Sequence, residues 1–114
     1  MLIFPLKKQW YEKIKSGEKT IEYREVKQYW TSRLWHENCL PSEMFPFDCK
    51  ERQELGMFPI ICYLQLGYNP ETRLRAFISK VEILNGKDTD LHIDKPVYAI
   101  HLSNVREVLS NESE

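Results

Sequence analysis

Little in this chain points to a membrane, a disulfide framework or a metal centre. No apolar run reaches the about 18 residues that a membrane-spanning helix needs, so we expect no membrane partner. The three cysteines, Cys39, Cys49 and Cys62, are an odd number without paired spacing, and no signal peptide is recognised before them. We therefore expect free thiols and a cytoplasmic protein. His36 and Cys39 suggest a metal pair, but no second short-spaced pair completes a tetrahedral set, so the sequence predicts neither a metal nor a cofactor.

Strong net charge and glycine-rich loops are absent as well. The 16 basic and 17 acidic residues leave a net charge of -1, so the molecule as a whole does not favour a polyanionic partner. Any basic patch must be local, and the four lysines between Lys7 and Lys15 are followed by Lys19 and Arg24. A hydrophobic content of 42% predicts one globular domain over residues 1–114, with a frayed tail at about 110–114.

The most informative stretch is residues 17–24, where a helical pattern meets an extended one. Gly17 can adopt the left-handed conformation that ends a helix, and Ile21 and Tyr23 are good strand formers. Strand periodicity places Ile21 and Tyr23 on a face that is expected to contact the core. The opposite, polar face consists of Thr20, Glu22 and Arg24.

Two interpretations of this polar face stay open. In the first, Glu22 and Arg24 form an ion pair on a solvated strand surface, which contributes about 0 to 1 kcal/mol. In the second, the face lines a cleft in which Lys19 and Arg24 hold an anion while Glu22 accepts or donates a proton.

The spacing of four residues resembles a known family motif. Gly17, Lys19, Glu22 and Arg24 follow the glycine-x-lysine-x-x-glutamate-x-arginine pattern of the ASCH family, whose members are similar in fold to PUA RNA-binding domains. The resemblance is clearest over residues 1–35. It implies a PUA-like barrel with a cleft between the first helix, the motif and the barrel wall.

The N-terminal third of the chain alternates extended and helical patterns. Leu2, Phe4 and Leu6 predict a short first strand, and Pro5 indicates that this strand lies at an edge or ends early. Residues 8–16 have the periodicity of an amphipathic helix, in which Trp10 packs in the core or forms a platform for a base. A second helix carries an apolar stripe of Val26, Trp30 and Leu34, and this stripe also contains Arg33.

The rest of the chain predicts mainly strands. Residues 36–56 are expected to form a long loop with a short strand around 44–50. Further strands are predicted at 57–66, 74–84 and 97–102, followed by one helical turn that contains Val105, Val108 and Leu109. Glu82, within the second of these strands, should point to water or be paired. The pattern predicts an α+β fold, a small mixed barrel of about five strands with two N-terminal helices.

A binding module for RNA or a modified nucleotide is the first functional hypothesis. Lys19, Arg24 and Arg33 would hold phosphate or carboxylate-like oxygens. Glu22 would accept from an exocyclic amine, and Tyr23 or Trp30 could stack on the base. Alternatively Arg33 forms a structural pair with Glu22 or Glu25. Binding should be modest and sensitive to salt, because few cations are available.

An enzyme is the second hypothesis, and a protein-interaction or structural role is the third. Some ASCH-like proteins are amidohydrolases that deacetylate 4-acetylcytidine, and others cut RNA. Those amidohydrolases use a lysine and a threonine of the motif and a later glutamate, so the resemblance implies a catalytic role for Lys19. Glu22 occupies the position at which they carry the threonine, and Thr20 lies nearby as a further catalytic candidate. A carboxylate there would act as a general base on water. The third hypothesis predicts an exposed apolar patch and no charged pocket.

Overall fold

The computed structural model describes residues 1–37, 39–41 and 60–108. In this part of the chain two helices and five strands alternate and then give way to strands alone. The elements are β1 (Leu2–Leu6), α1 (Lys8–Ser16), β2 (Ile21–Glu25), α2 (Gln28–His36), β3 (Ile60–Leu66), β4 (Arg73–Asn85) and β5 (Pro96–Val108), with a 3-10 turn at Gly86–Asp88 between β4 and β5. The fold is therefore α+β, as the sequence pattern predicts.

The five strands form one mixed sheet that curls into a half-barrel. Their order is β1-β3-β4-β5-β2, in which β1 and β3 are parallel and the other pairs are antiparallel. The two N-terminal strands therefore lie at opposite edges of the sheet. Pro5, which lacks a backbone N–H, lies on an edge strand as expected.

The core fills the inside of the half-barrel. Leu2, Phe4 and Leu6 alternate inward from β1, and Ile14 of α1 and Leu34 of α2 close over them. The first helix ends as predicted, because Gly17 adopts a φ of 86° and its N–H donates to the carbonyl of Ile14 at 3.1 Å. The chain can then reverse directly into β2.

The last strand corrects one expectation. The helical turn expected around Val105 and Val108 is wrong, because β5 pairs with β4 along its length up to the Arg73–Val108 pair. Sheet pairing overrides the weak helical spacing there. The strand expected around 44–50 and the tail at 110–114 lie outside the described residues.

The faces of β2 are reversed relative to the prediction. Glu22 is the buried residue of this strand, at 5% exposure, whereas Ile21 and Tyr23 are only partly buried. The alternation itself is correct. The face that is buried differs from the prediction because β2 is an edge strand that pairs only with β5. Its inward face borders the open side of the half-barrel, where Lys19 and Arg24 pair with Glu22.

Candidate functional site

Arg24 bridges the two edges of the half-barrel. Its Nη2 donates to the carbonyl oxygen of Pro5 at 2.8 Å, which connects β2 to β1. Its guanidinium carbon lies 5.4 Å from the ring centroid of Phe4 and 4.9 Å from that of Trp30. The Arg24 side chain thus spans the gap between the edge strands β1 and β2. We call this gap the seam.

Glu22 lies beside Arg24 at the bottom of this seam. The Nε of Arg24 donates to Oε2 of Glu22 at 2.8 Å, and Nη2 lies 2.6 Å from the same oxygen. The ammonium of Lys19 is 3.8 Å from Oε1. Burial raises the pKa of the Glu22 carboxyl above its ordinary value, and Arg24 and Lys19 offset this effect only in part.

Two polar atoms of this pair have no hydrogen-bond partner among the residues that the structure describes. Oε1 of Glu22 accepts no hydrogen bond, and Nη1 of Arg24 donates none. Buried acceptors are normally satisfied, so Oε1 of Glu22 is available to a hydrogen-bond donor of a ligand.

Lys19 forms the adjacent wall of the site. Its backbone N–H donates to the carbonyl of Lys13 at 3.0 Å, which holds the turn after α1. Its ammonium pairs with the Asp90 carboxylate and lies 5.5 Å from the ring centroid of Trp10 and 4.8 Å from that of Tyr23. The cation is therefore held by a carboxylate and two aromatic rings.

These groups line one cavity of about 620 Å³ that opens along the seam. Its aromatic lining consists of Trp10, Tyr23 and Trp30. Its charged lining consists of Lys7, Lys19, Arg24, Lys27, Glu22, Glu25 and Asp90. Because four cations face three carboxylates, the cavity is rich in polar groups but nearly balanced in charge. Burial, with Asp90 and Glu82 next in effect, raises the pKa of the Tyr23 phenol, which keeps its hydroxyl protonated.

The structure brings most of the predicted site residues to this cavity. Lys19, Glu22, Tyr23, Arg24 and Trp30 all line it. In contrast, two further predicted residues lie elsewhere.

The side chain of Thr20 is exposed and lines a shallower depression of about 270 Å³ that adjoins the cavity. Arg33 is exposed on α2, where its guanidinium carbon lies 4.1 Å from the ring centroid of Tyr29. The alternative pairing of Arg33 is not formed, since Glu22 pairs with Arg24 and Lys19, and Glu25 pairs with Lys27 and Lys95.

Asp90 is the residue that sequence reasoning missed. It belongs to the loop between β4 and β5, and 71 positions separate it from Lys19. Leu91 and Ile93 of the same loop also line the cavity. The only signal in the sequence is an acidic residue in a polar loop, and that signal does not indicate which cation it meets.

Glu82 lies outside the cavity. Its Oε1 is 2.7 Å from Nε2 of His101, and its Oε2 is 3.5 Å from the Lys80 ammonium. The hydrogen bond with His101 holds the pKa of the Glu82 carboxyl below its ordinary value. Glu82 is thus paired on the outer face of the sheet.

The structure describes two of the three cysteines. Cys39 and Cys62 are buried and form no disulfide with a described residue, and burial raises the pKa of the Cys62 thiol to about 12. Cys49 lies outside the described residues. In the described ranges, neither helix has the length and apolar character needed to cross a membrane.

No protein-family model, curated protein or solved structure matches this chain. The function therefore has to be argued from the chemistry of the seam.

Proposed function

We propose that this protein is an RNA- or modified-nucleotide-binding module of the ASCH type, with a PUA-like fold, and that its cavity receives a nucleobase. The observation that carries this proposal is the buried acceptor Oε1 of Glu22, which accepts no hydrogen bond from a described residue and lies in a cavity with aromatic walls. A base that presents an exocyclic amine can donate to this oxygen. The motif Gly17, Lys19, Glu22 and Arg24 supports the family assignment.

The walls of the cavity suit a flat ligand. Trp10, Tyr23 and Trp30 contribute aromatic rings to the cavity that Glu22 also lines. Stacking of a base on such a ring contributes about 1 to 3 kcal/mol. The volume of about 620 Å³ lies within the range of small-molecule sites.

The charge balance favours a base over a phosphate in this cavity. Arg24 already pairs with Glu22, and Lys19 already pairs with Asp90. A phosphate would compete with these carboxylates and meet their negative charge. Binding of a nucleoside is therefore expected to depend little on salt, in contrast to binding of a longer RNA.

A nucleoside panel tests the proposal. Isothermal titration with cytidine, adenosine, guanosine and uridine should show tighter binding of the bases that carry an exocyclic amine. Glu22→Gln removes a charged acceptor and should weaken the preferred nucleoside by about tenfold, equivalent to about 1.4 kcal/mol. Glu71→Gln, which changes an exposed turn residue, is the matched control. Lack of binding at millimolar nucleoside and low salt, or equal binding by Glu22→Gln, contradicts the proposal.

A hydrolase for an acylated nucleoside of the 4-acetylcytidine type is the second candidate. The observation that favours it is the buried Glu22 carboxyl, whose raised pKa suits a proton acceptor, close to the Lys19 ammonium. Glu22 would take a proton from water as the water attacks the acyl carbonyl, and the amine would leave with a proton. Thr20 has weaker support as a nucleophile, because its side chain is exposed beside the cavity.

Product analysis separates the two candidates. Acetylated cytidine is incubated with the protein, and chromatography then detects free cytidine and acetate. If the protein is a hydrolase, Glu22→Gln should lower turnover about 100-fold while it retains most of the binding. Binding without any product supports the binding module alone.

A further inference from the structure

Three arginines share the outer face of the sheet, away from the cavity. Leu74 and Ala76 of β4 are buried, so strand alternation turns Arg73 and Arg75 outward. Arg106 of β5 is the register partner of Arg75 and therefore shares this face. We call Arg73, Arg75 and Arg106 the arginine face.

The charges of the arginine face are not neutralised in the described part of the chain. None of the three arginines forms an ion pair with a described residue. Glu107, the neighbour of Arg106, pairs instead with Lys15 of α1 at 2.9 Å. Like charges that are directly opposite on two strands destabilise a sheet. The Arg75–Arg106 pair is thus a repulsive arrangement that a bound anion would relieve.

One of the arginines is held in place by its neighbours. Oε1 of Gln65 accepts a hydrogen bond from Nε of Arg73 at 3.0 Å, and Nε2 of Gln65 donates to the carbonyl of Gly67 at 2.9 Å. The Arg73 guanidinium carbon lies 5.8 Å from the ring centroid of Tyr63. Such fixation lowers the entropy lost when a guanidinium binds an oxyanion.

We propose that the arginine face binds the phosphates of a single-stranded RNA, one base of which enters the cavity. This inference rests on the proposed function for the identity of the partner. Guanidinium groups bind phosphate oxygens in a bidentate manner, which suits a phosphodiester. The two surfaces suit different parts of an RNA. The charges that line the cavity are nearly balanced, which suits a base, whereas the arginine face carries only positive charge, which suits phosphates.

The sheet places the arginine face within reach of the cavity. Pro5, which lines the cavity, is the register partner of Gln65, and Gln65 is the partner of Arg73. Arg73 is therefore two strands from Pro5, or about 10 Å. A nucleic acid strand whose base lies in the seam can cross β1 and β3 and reach the arginines. An acidic peptide would satisfy the arginines but has no base for the cavity.

Fluorescence anisotropy with a short labelled single-stranded RNA tests this inference over a range of salt concentrations. Three phosphate contacts predict a slope of log K against log salt of about -2. Arg75→Gln combined with Arg106→Gln should reduce the slope to about -0.7 and weaken binding about tenfold at low salt. Arg33→Gln, which removes an exposed arginine on α2, is the matched control and should change neither value.

A stability measurement excludes unfolding as the cause of lost binding. Because Arg75 and Arg106 repel each other, each single substitution to Gln should leave the melting temperature without RNA unchanged or raise it at low salt. Lower affinity together with unchanged or higher stability supports the inference. A double variant that keeps both the salt slope and the affinity overturns it.

Further outcomes distinguish failure of the inference from failure of the proposed function. If nucleosides bind but RNA binds no more tightly and shows no salt slope, the cavity assignment stands and the arginine face is wrong. If RNA binding is lost in the arginine variants while nucleosides do not bind, the arginine face stands without the cavity assignment. Tighter binding of a polyglutamate peptide than of RNA overturns the choice of partner.

Discussion

The contacts of Arg24 with Glu22 and Pro5 predict a large loss of stability when Arg24 is replaced. Arg24→Met keeps the length and apolar contact of the side chain but removes the hydrogen bond to Pro5 and both contacts to Glu22. Removal of one partner from a buried ion pair destabilises a protein by about 3 to 5 kcal/mol. The lower end applies because Arg24 is 19% exposed and Lys19 remains 3.8 Å from the carboxylate. We expect the free energy of unfolding to fall by about 3 kcal/mol near neutral pH.

Urea unfolding followed by tryptophan fluorescence measures this loss, since Trp10 and Trp30 both line the cavity. Arg33→Met is the matched control, because Arg33 is exposed and stacks on Tyr29. Its effect should be about 0.5 kcal/mol.

A double-mutant cycle shows whether the loss comes from the ion pair. If it does, Arg24→Met in a Glu22→Gln background should be less damaging by at least about 1 kcal/mol, because no unpaired charge is left buried. A loss below about 1 kcal/mol in Arg24→Met, or an additive cycle, would refute the seam argument.

Three further predictions concern pH, thiols and the loop that carries Asp90. Because the pKa of Glu22 is raised, the folded state binds a proton at this carboxyl more tightly than the unfolded state does. The contribution of Glu22 to the free energy of unfolding therefore falls as pH rises from about 4.5 through the folded pKa. Glu22→Gln should lack that part of the pH profile. Cys62, with a pKa of about 12, should not react with a thiol reagent in the native protein, whereas denatured protein should show all three thiols. Gly86→Ala should destabilise by about 1 to 3 kcal/mol, because its Cβ would lie 2.7 Å from Val97 Cγ1 and 2.8 Å from the Ile93 carbonyl oxygen.

Each of these predictions has a result that contradicts it. Identical pH profiles for the natural protein and Glu22→Gln, measured as the midpoint of urea unfolding, contradict the assignment of the titration. Rapid native labelling of Cys62, located by mass spectrometry, contradicts its burial. For the loop, a loss of stability in Gly86→Ala no larger than that in Gly17→Ala contradicts the steric argument, because a Cβ at Gly17 meets no atom within 4 Å and only the positive φ opposes it.

Local rules were sufficient for several parts of this fold. The alternation of Leu2, Phe4 and Leu6 predicts the buried face of β1. Pro5 indicates that β1 lies at an edge or ends early, and the first of these alternatives is correct. The end of α1 at Gly17 follows from the left-handed conformation that glycine adopts freely. These features depend on backbone geometry and on neighbours along the chain, so they can be predicted from a single sequence.

The site required the tertiary structure. Period two divides β2 into two faces but does not say which is buried, since that depends on the strand with which it pairs and on what lies across the seam. Burial of Glu22 is possible because Arg24 and Lys19 meet it there. Asp90 reaches Lys19 only through the turn between β4 and β5, and Arg33 is kept out of the cavity by its position on α2. The sequence by itself determined most of the described elements and the end of α1, while the curl of the sheet decided which charges are buried together, because long-range pairing cannot be inferred from local periodicity.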